Sequence, residues 1–251
     1  MVERGQRLPL NAEETNEGAV PDAGDSLVGI WGHNAGVIYA QTACVWEVSA
    51  RKVGNVHPTA RFTDVDFTDF LISAAVLGEA FNSVRSITSG QGLVGWHVYT
   101  AVGRGWVGSN TNLGIALLLA PLYNADHTLD FKGGVATVLS SLTRADARYV
   151  YEAIRIANPG GLGDAAEQDV RDEPTVTLLE AMRLAADRDM VARQYANGFA
   201  DVFDFGVPAF TEAFTKFGCV EAAIVDSQLR WLAAYPDSLI ARKNGIAVAE
   251  D

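Results

Sequence analysis

The stretch Glu47–Asp69, EVSARKVGNVHPTARFTDVDFTD, decides how the rest of the chain is read. It leaves one apolar segment, Gly36–Val48, and enters another that begins at Asp66. Gly36–Val48 is apolar on nearly every side and reads as a buried helix. Asp66 is an N-cap residue with Asp69 three positions on, followed by Phe70, Leu71, Ala74, Leu77 and Phe81 at helical spacing. A helix on either side makes the stretch an interhelical connection, and such connections are ordinarily short. This one carries two helix breakers (Gly54, Pro58), together with Lys52, Asn55, His57 and the carboxylates Glu47, Asp64, Asp66 and Asp69. These groups suit phosphate, metal or a reacting sugar, so the active site is expected here, completed by other helices.

Working outward, the same helical period recurs. Leu93–Trp106 reads as a helix weakened by Gly95, Gly103 and Gly105. Asn110 or Thr111 starts the apolar helix LGIALLLAPLY, which Pro121 kinks or ends. Thr143-Arg-Ala-Asp146 resembles a capping box opening a helix that runs to Asn158, with Ala147, Val150, Ile154 and Ala157 as its apolar stripe. The segment 158–163 breaks it. A further helix is expected from near Pro174–Thr177 to about Tyr195, with Arg183/Asp187 and Asp189/Arg193 as i,i+4 pairs. Val220–Ala234 closes the series as an amphipathic helix showing Val225, Leu229 and Leu232. Alternating strand patterns are scarce and no internal repeat is present. The expected architecture is all-α, a single domain over residues 26–251 with about eight to ten helices.

The bulk composition agrees. The chain has 251 residues, 49% apolar and 20% charged, enough for one large core. Its net charge of −12 argues against a nucleic-acid surface. For a polyanionic ligand it calls for a divalent cation. Two cysteines form no disulfide framework and fit a reducing cytosol, with Cys44 reading as a small core residue. The first 25 residues are polar and acidic, read as poorly ordered and not as a signal peptide. The longest apolar runs fall short of the roughly 18 residues of a membrane span. A cytoplasmic protein, with a homodimer permitted by its apolar helices, is the expectation.

Several residues are candidates for chemistry. Glu47, on an apolar helix, needs a partner such as Lys52, a metal or a ligand. Asp64, Asp66 and Asp69 are the densest carboxylate group and candidates for Mg²⁺, with Asp189 as an additional metal candidate. Asp66 and Asp69 also have the plain reading of helix-cap residues. Lys52 and Asn55 suit phosphate, and His57 titrates near neutrality. Asn110, Thr111, Asn112 and Gly114 open a helix, where backbone N–H groups favour anions. Arg193 is a further phosphate candidate, while residues 160–163 with Asp169 form a possible lid. The segment 90–95 spells GxGxxG, but no strand precedes it. No Zn-type Cys/His spacing, P-loop or nucleophile elbow occurs.

Taken in order, these motifs resemble the triphosphoribosyl-dephospho-CoA synthase family. The resemblance rests on Glu47-Val, Lys52-x-Gly54-Asn-Val, Asp64-Val-Asp66-Phe with Phe70 and Ser73, and Asn110-Thr-Asn-Leu-Gly114. It spans about residues 35–235. It implies an all-α fold and a Mg²⁺-dependent reaction in which the ribose hydroxyl of dephospho-CoA attacks the anomeric carbon of ATP. Adenine leaves and the triphosphate stays on the transferred sugar. In that reading Glu47 or Asp64 is the base or stabilising carboxylate, Asp64 and Asp66 hold Mg²⁺, and His57 protonates the leaving base or contacts phosphate.

The chain departs from the family pattern at five positions. Arg51 and Val53 stand where the synthases have proline, Phe62 where they have histidine, and Asn112-Leu113 where they have His-Lys. The stretches 160–170 and 185–199 are similar to a divergent branch from organisms using methanopterin-type C1 carriers. That leaves open a phosphoribosyl pyrophosphate donor or a pterin-precursor acceptor. An all-α nucleoside triphosphate pyrophosphohydrolase and a non-catalytic nucleotide-binding protein are the other readings of the same residues.

Overall fold

Side-chain capping sets the start of four helices. The computed structural model describes residues 23–83, 90–103, 110–126, 130–160, 162, 167–238, 240–241 and 245, with side chains from Ala35 onward. The chain falls into two units, Met1–Gly32 and His33–Asp251. The first unit is described only from Ala23, where helix begins; the expected acidic segment before it lies outside the described residues.

The described residues form ten α-helices and no strand. They are α1 (Ala23–Ser49), α2 (Phe67–Asn82), α3 (Leu93–Gly103), α4 (Leu113–Asn124), α5 (Phe131–Ser140), α6 (Arg144–Ala157), α7 (Leu178–Ala185), α8 (Met190–Asn197), α9 (Val207–Phe217) and α10 (Val220–Ala234). A π-helical turn, Val202–Gly206, leads into α9. No helix among the described residues is long and apolar enough to cross a membrane.

Three helices open with reciprocal capping boxes: Asp66/Asp69 on α2, Thr143/Asp146 on α6 and Thr177/Glu180 on α7. Asn158 ends α6 in the left-handed conformation, where the sequence places the break. The expected single helix from Thr177 to Tyr195 is instead two. Asp189 accepts from the N–H groups of Val191 and Ala192 and so starts α8 as its N-cap. Arg193 correspondingly pairs with Asp201 at 2.8 Å, not in the expected i,i+4 geometry.

The core sits where α2, α3, α4, α6 and α8 meet. Leu77, Phe81, Val98, Val150, Leu178, Tyr195 and Phe199 are fully buried, and each such side chain contributes roughly 1.5–3 kcal/mol. The crossing of α3 with α6 is close because Gly95 lies against the backbone of Asp146. A Cβ there would stand 2.6 Å from the Asp146 Cα. The buried Asp146 carboxylate accepts from Gly95 N, Thr143 N and Thr143 Oγ1 at 2.8–3.0 Å, which satisfies it without a cation. The GxGxxG letters thus serve helix packing.

Pro121 neither ends nor breaks α4; it lies inside it. Two apolar stripes differ from expectation. On α1, Tyr39 and Trp46 are 73% and 48% exposed, so Gly36–Val48 buries only one face. On α10, Leu229 and Leu232 are exposed, and the helix turns Ala223 inward.

Candidate active site

The α1–α2 connection is a two-faced strip between α1 and α10. At its start, Lys52 Nζ donates to Glu47 Oε1 across one helical turn and the helix end. The sequence suggested a buried glutamate and an accessible lysine. The structure reverses this: the Lys52 side chain is 8% exposed and that of Glu47 is 39%. A lysine taken out of water needs its counter-charge, and the glutamate one turn from the helix end supplies it. Residues Lys52–Asn55 form a turn, which Asn55 N closes by donating to Lys52 O at 3.4 Å, with Gly54 in the left-handed region. Lys52 faces Glu47. Arg51, Val53 and Asn55 face α10, where Arg51 Nε donates to Glu221 at 2.6 Å. Gln228 accepts from Val53 N (3.1 Å) and donates to Val53 O (2.8 Å) and Asn55 Oδ1 (3.0 Å).

His57 and Ala60 close a tight turn with two mutual backbone bonds of 3.0 Å, with Pro58 and Thr59 at its corner. The N–H of Thr59 donates to His57 Nδ1 at 3.3 Å, so the neutral ring carries its proton on Nε2. The Arg51 guanidinium holds the Glu221 carboxyl below its usual range, and His57 adds to that effect, which places the imidazole near the start of α10.

Asp64 is exposed. Asp66 accepts through Oδ1 from Thr68 N (2.8 Å), Thr68 Oγ1 (2.7 Å) and Asp69 N (3.4 Å). The Thr68 hydroxyl foremost holds its carboxyl below the ordinary carboxylate range, so it is charged at neutral pH. Asp69 Oδ2 accepts from Asp66 N at 2.9 Å. Each of these two carboxylates spends one oxygen on the capping box. Among the described residues no three His, Cys, Asp or Glu side chains converge to hold a metal. Asp64, Asp66, Asp69 and Asp189 therefore do not form a ready-made cage.

The second motif reaches the same place from α4. The Ser73 and Thr111 hydroxyls share a short hydrogen bond, both buried, joining α2 to the residue before the α4 cap. Cys44, Phe70, Ser73, Thr111, Asn112 and Ile115 line the narrow cleft between them. Burial, and then Glu47, push the Cys44 thiol up to about 12, so Cys44 is an inert wall and Glu47 stands close to the cleft. Asn112 differs from its expected ligand role: it is buried and donates Nδ2 to Ala101 O at 2.8 Å, locking α3 to α4. Asn110 is exposed, with Oδ1 accepting from Leu113 N at 3.2 Å, and Gly114 faces open space.

Asp189 and Arg193 belong to another neighbourhood. Asp189 caps α8, and Arg193 pairs with Asp201 and lies over the Tyr235 ring at 5.3 Å. Asp201 also accepts from Gln194 and Asn197, and its carboxyl is held low chiefly by Arg193. The lid segment falls partly outside the described residues; Asp169 itself pairs with Arg171. Sequence reasoning missed Glu221 and Gln228. Their seven-residue spacing puts both on one face of α10, but only the fold shows what that face meets.

The described residues thus form an all-helical domain that gathers carboxylates, a buried lysine and a histidine on one interhelical connection, beside a narrow, mainly apolar cleft. The family model CitG, ATP:dephospho-CoA triphosphoribosyl transferase, matches residues 37–251, and the chain belongs to that family. No curated protein and no solved structure matches the chain.

Proposed function

We propose that this protein transfers the triphosphoribosyl group of ATP to a ribose hydroxyl of dephospho-CoA, with Mg²⁺ on the donor's phosphates. The observation that carries the reading is the Ser73–Thr111 bond. It joins the two motif segments, 38 positions apart, at one cleft beside Glu47.

The acceptor hydroxyl attacks the anomeric carbon of the ATP ribose. The C1–O bond forms as the C1–N bond to adenine breaks. The bond pair leaves on adenine, which takes up a proton, and the hydroxyl proton goes to a base. Glu47 is the carboxylate at the cleft and fills that role; it also faces the positive charge that develops on the sugar ring. Lys52 holds Glu47 in place. His57, with its proton on Nε2, is a donor for the departing base or a phosphate oxygen.

Residues 47–69 carry four carboxylates (Glu47, Asp64, Asp66, Asp69) and three fixed cations (Arg51, Lys52, Arg61). Side chains alone therefore leave a triphosphate unneutralised. Mg²⁺ is characteristically held by one or two carboxylates plus substrate phosphates, which suits exposed Asp64 and the uncapped Oδ2 of Asp66. When bound, it would neutralise the phosphate charge and orient the donor. Asn110 and Gly114, exposed at the α4 start, are the remaining phosphate or ribose contacts.

The test is an incubation with Mg²⁺, ATP and dephospho-CoA, followed by chromatography for adenine. Free adenine with a triphosphate-bearing product is expected. Pyrophosphate plus nucleotide without an acceptor identifies a pyrophosphohydrolase instead. Turnover only with phosphoribosyl pyrophosphate moves the assignment to the methanopterin-type branch.

A further inference from the structure

Among the described residues, the hydrogen bonds that tie Val53 and Asn55 down come from α10 or from the strip itself, and the main partner is a side-chain amide acting as a strand partner. Gln228 offers Oε1 to the Val53 N–H and Nε2 to the Val53 carbonyl, the pairing a neighbouring β-strand would give, and its Nε2 also reaches Asn55 Oδ1. Gly54, between the two, is in the left-handed region at φ 72°, so the clamp spans the bend. Seven residues earlier on the same face, Glu221 holds Arg51. Arg51 and Lys52 thus end on different partners, Glu221 on α10 and Glu47 on α1, immediately before the turn that Asn55 N closes on Lys52 O.

We infer that Gln228 is a positioning residue of the active site: it pins the Lys52–Asn55 turn to α10, and through it sets where His57, two residues further on, stands toward the donor. This rests on the donor site proposed above. A residue that only orders a loop changes stability. One that aims donor-binding groups changes the donor's KM selectively.

Three variants test it: Gln228→Ala, Gln228→Glu and, as a control on the exposed side of the same helix, Leu229→Gln. Amide hydrogen exchange at Val53 needs no substrate; Q228A is expected to speed it about tenfold or more, since the N–H loses its acceptor. In adenine-release kinetics Q228A is expected to raise the ATP KM about tenfold, with the dephospho-CoA KM unchanged and L229Q like wild type. Q228E keeps the acceptor and loses the donor at neutral pH; protonated, it donates again. Its ATP KM relative to wild type is expected to narrow as pH falls from 7 to 5. Unchanged Val53 exchange, faster exchange with an unaltered ATP KM, or equal losses with both substrates overturns the positioning role. A wild-type protein that releases no adenine from ATP overturns the donor reading itself, and the role built on it.

Discussion

The Tyr195 hydroxyl donates to the Leu117 carbonyl at 2.6 Å. Pro121 lies four residues beyond Leu117 inside α4 and has no N–H to offer that carbonyl. A side chain from α8 thus supplies the helix bond that the proline removes, and α4 continues to Asn124. Burial pushes the Tyr195 phenol well above its usual range, so it remains a donor. Tyr195→Phe keeps the ring and orphans the carbonyl. Urea denaturation is expected to show a loss of roughly 1–3 kcal/mol with the helical content intact. An unchanged midpoint would mean that the carbonyl finds another donor.

His97 is the next liability of the core. It is fully buried against Phe81 and Tyr123, and Asn124 Nδ2 donates to its Nδ1 at 2.9 Å. Among the described residues its Nε2 has no hydrogen-bond partner. Burial lowers its pKa from 6.5 to about 4, so the folded protein binds this proton less readily than the unfolded chain. The associated stability is present above pH 6.5 and is lost as pH falls toward 4, about 3 kcal/mol in all. Stability measured in urea from pH 7 to pH 4 is expected to fall accordingly, and His97→Phe to flatten that part of the curve. A parallel curve for the variant would assign the acid loss to carboxylates.

Gly95→Ala puts a methyl group into the backbone of α6 at Asp146, where nothing is free to move. Gly78→Ala meets only the side chain of Gln41, which can swing aside. Thermal unfolding is expected to show Gly95→Ala destabilised by roughly 1–3 kcal/mol and by more than Gly78→Ala. The reverse order would mean that α3 and α6 can separate at little cost.

These sites show what the sequence makes readable. The capping boxes at Asp66, Thr143 and Thr177 are local, so their helix starts could be placed from neighbouring letters. The α7–α8 break was hidden because Asp189 suits both an i,i+4 pair and an N-cap, and only the competing partner Asp201 decides between them. Lys52 looked like a surface residue near a glycine; its burial follows from Glu47, five positions back, and from the strip's pinning to α10 by contacts across 170 or more positions. Leu229 and Leu232 advertised a buried stripe, while the real contact face of α10 is built on Ala223 with Glu221 and Gln228 at its polar edge.

Asp66 has two duties, capping α2 and, in the proposed mechanism, holding the donor's cation. Asparagine is as good an N-cap as aspartate and carries no charge. Asp66→Asn is therefore expected to leave the unfolding midpoint close to that of the wild type while adenine release falls by about a hundredfold or more. Asp64→Asn, at an exposed position before the cap, is expected to lose activity with no change in stability. Full activity in both would remove these carboxylates from the mechanism.

The most direct test is product analysis of the wild-type protein with ATP, dephospho-CoA and Mg²⁺, by chromatography and mass spectrometry. The account predicts free adenine in one-to-one yield with a dephospho-CoA species carrying a triphosphoribosyl group, and none of either when Mg²⁺ is chelated. Acceptor-independent pyrophosphate release, or no adenine under any of these conditions, would contradict it.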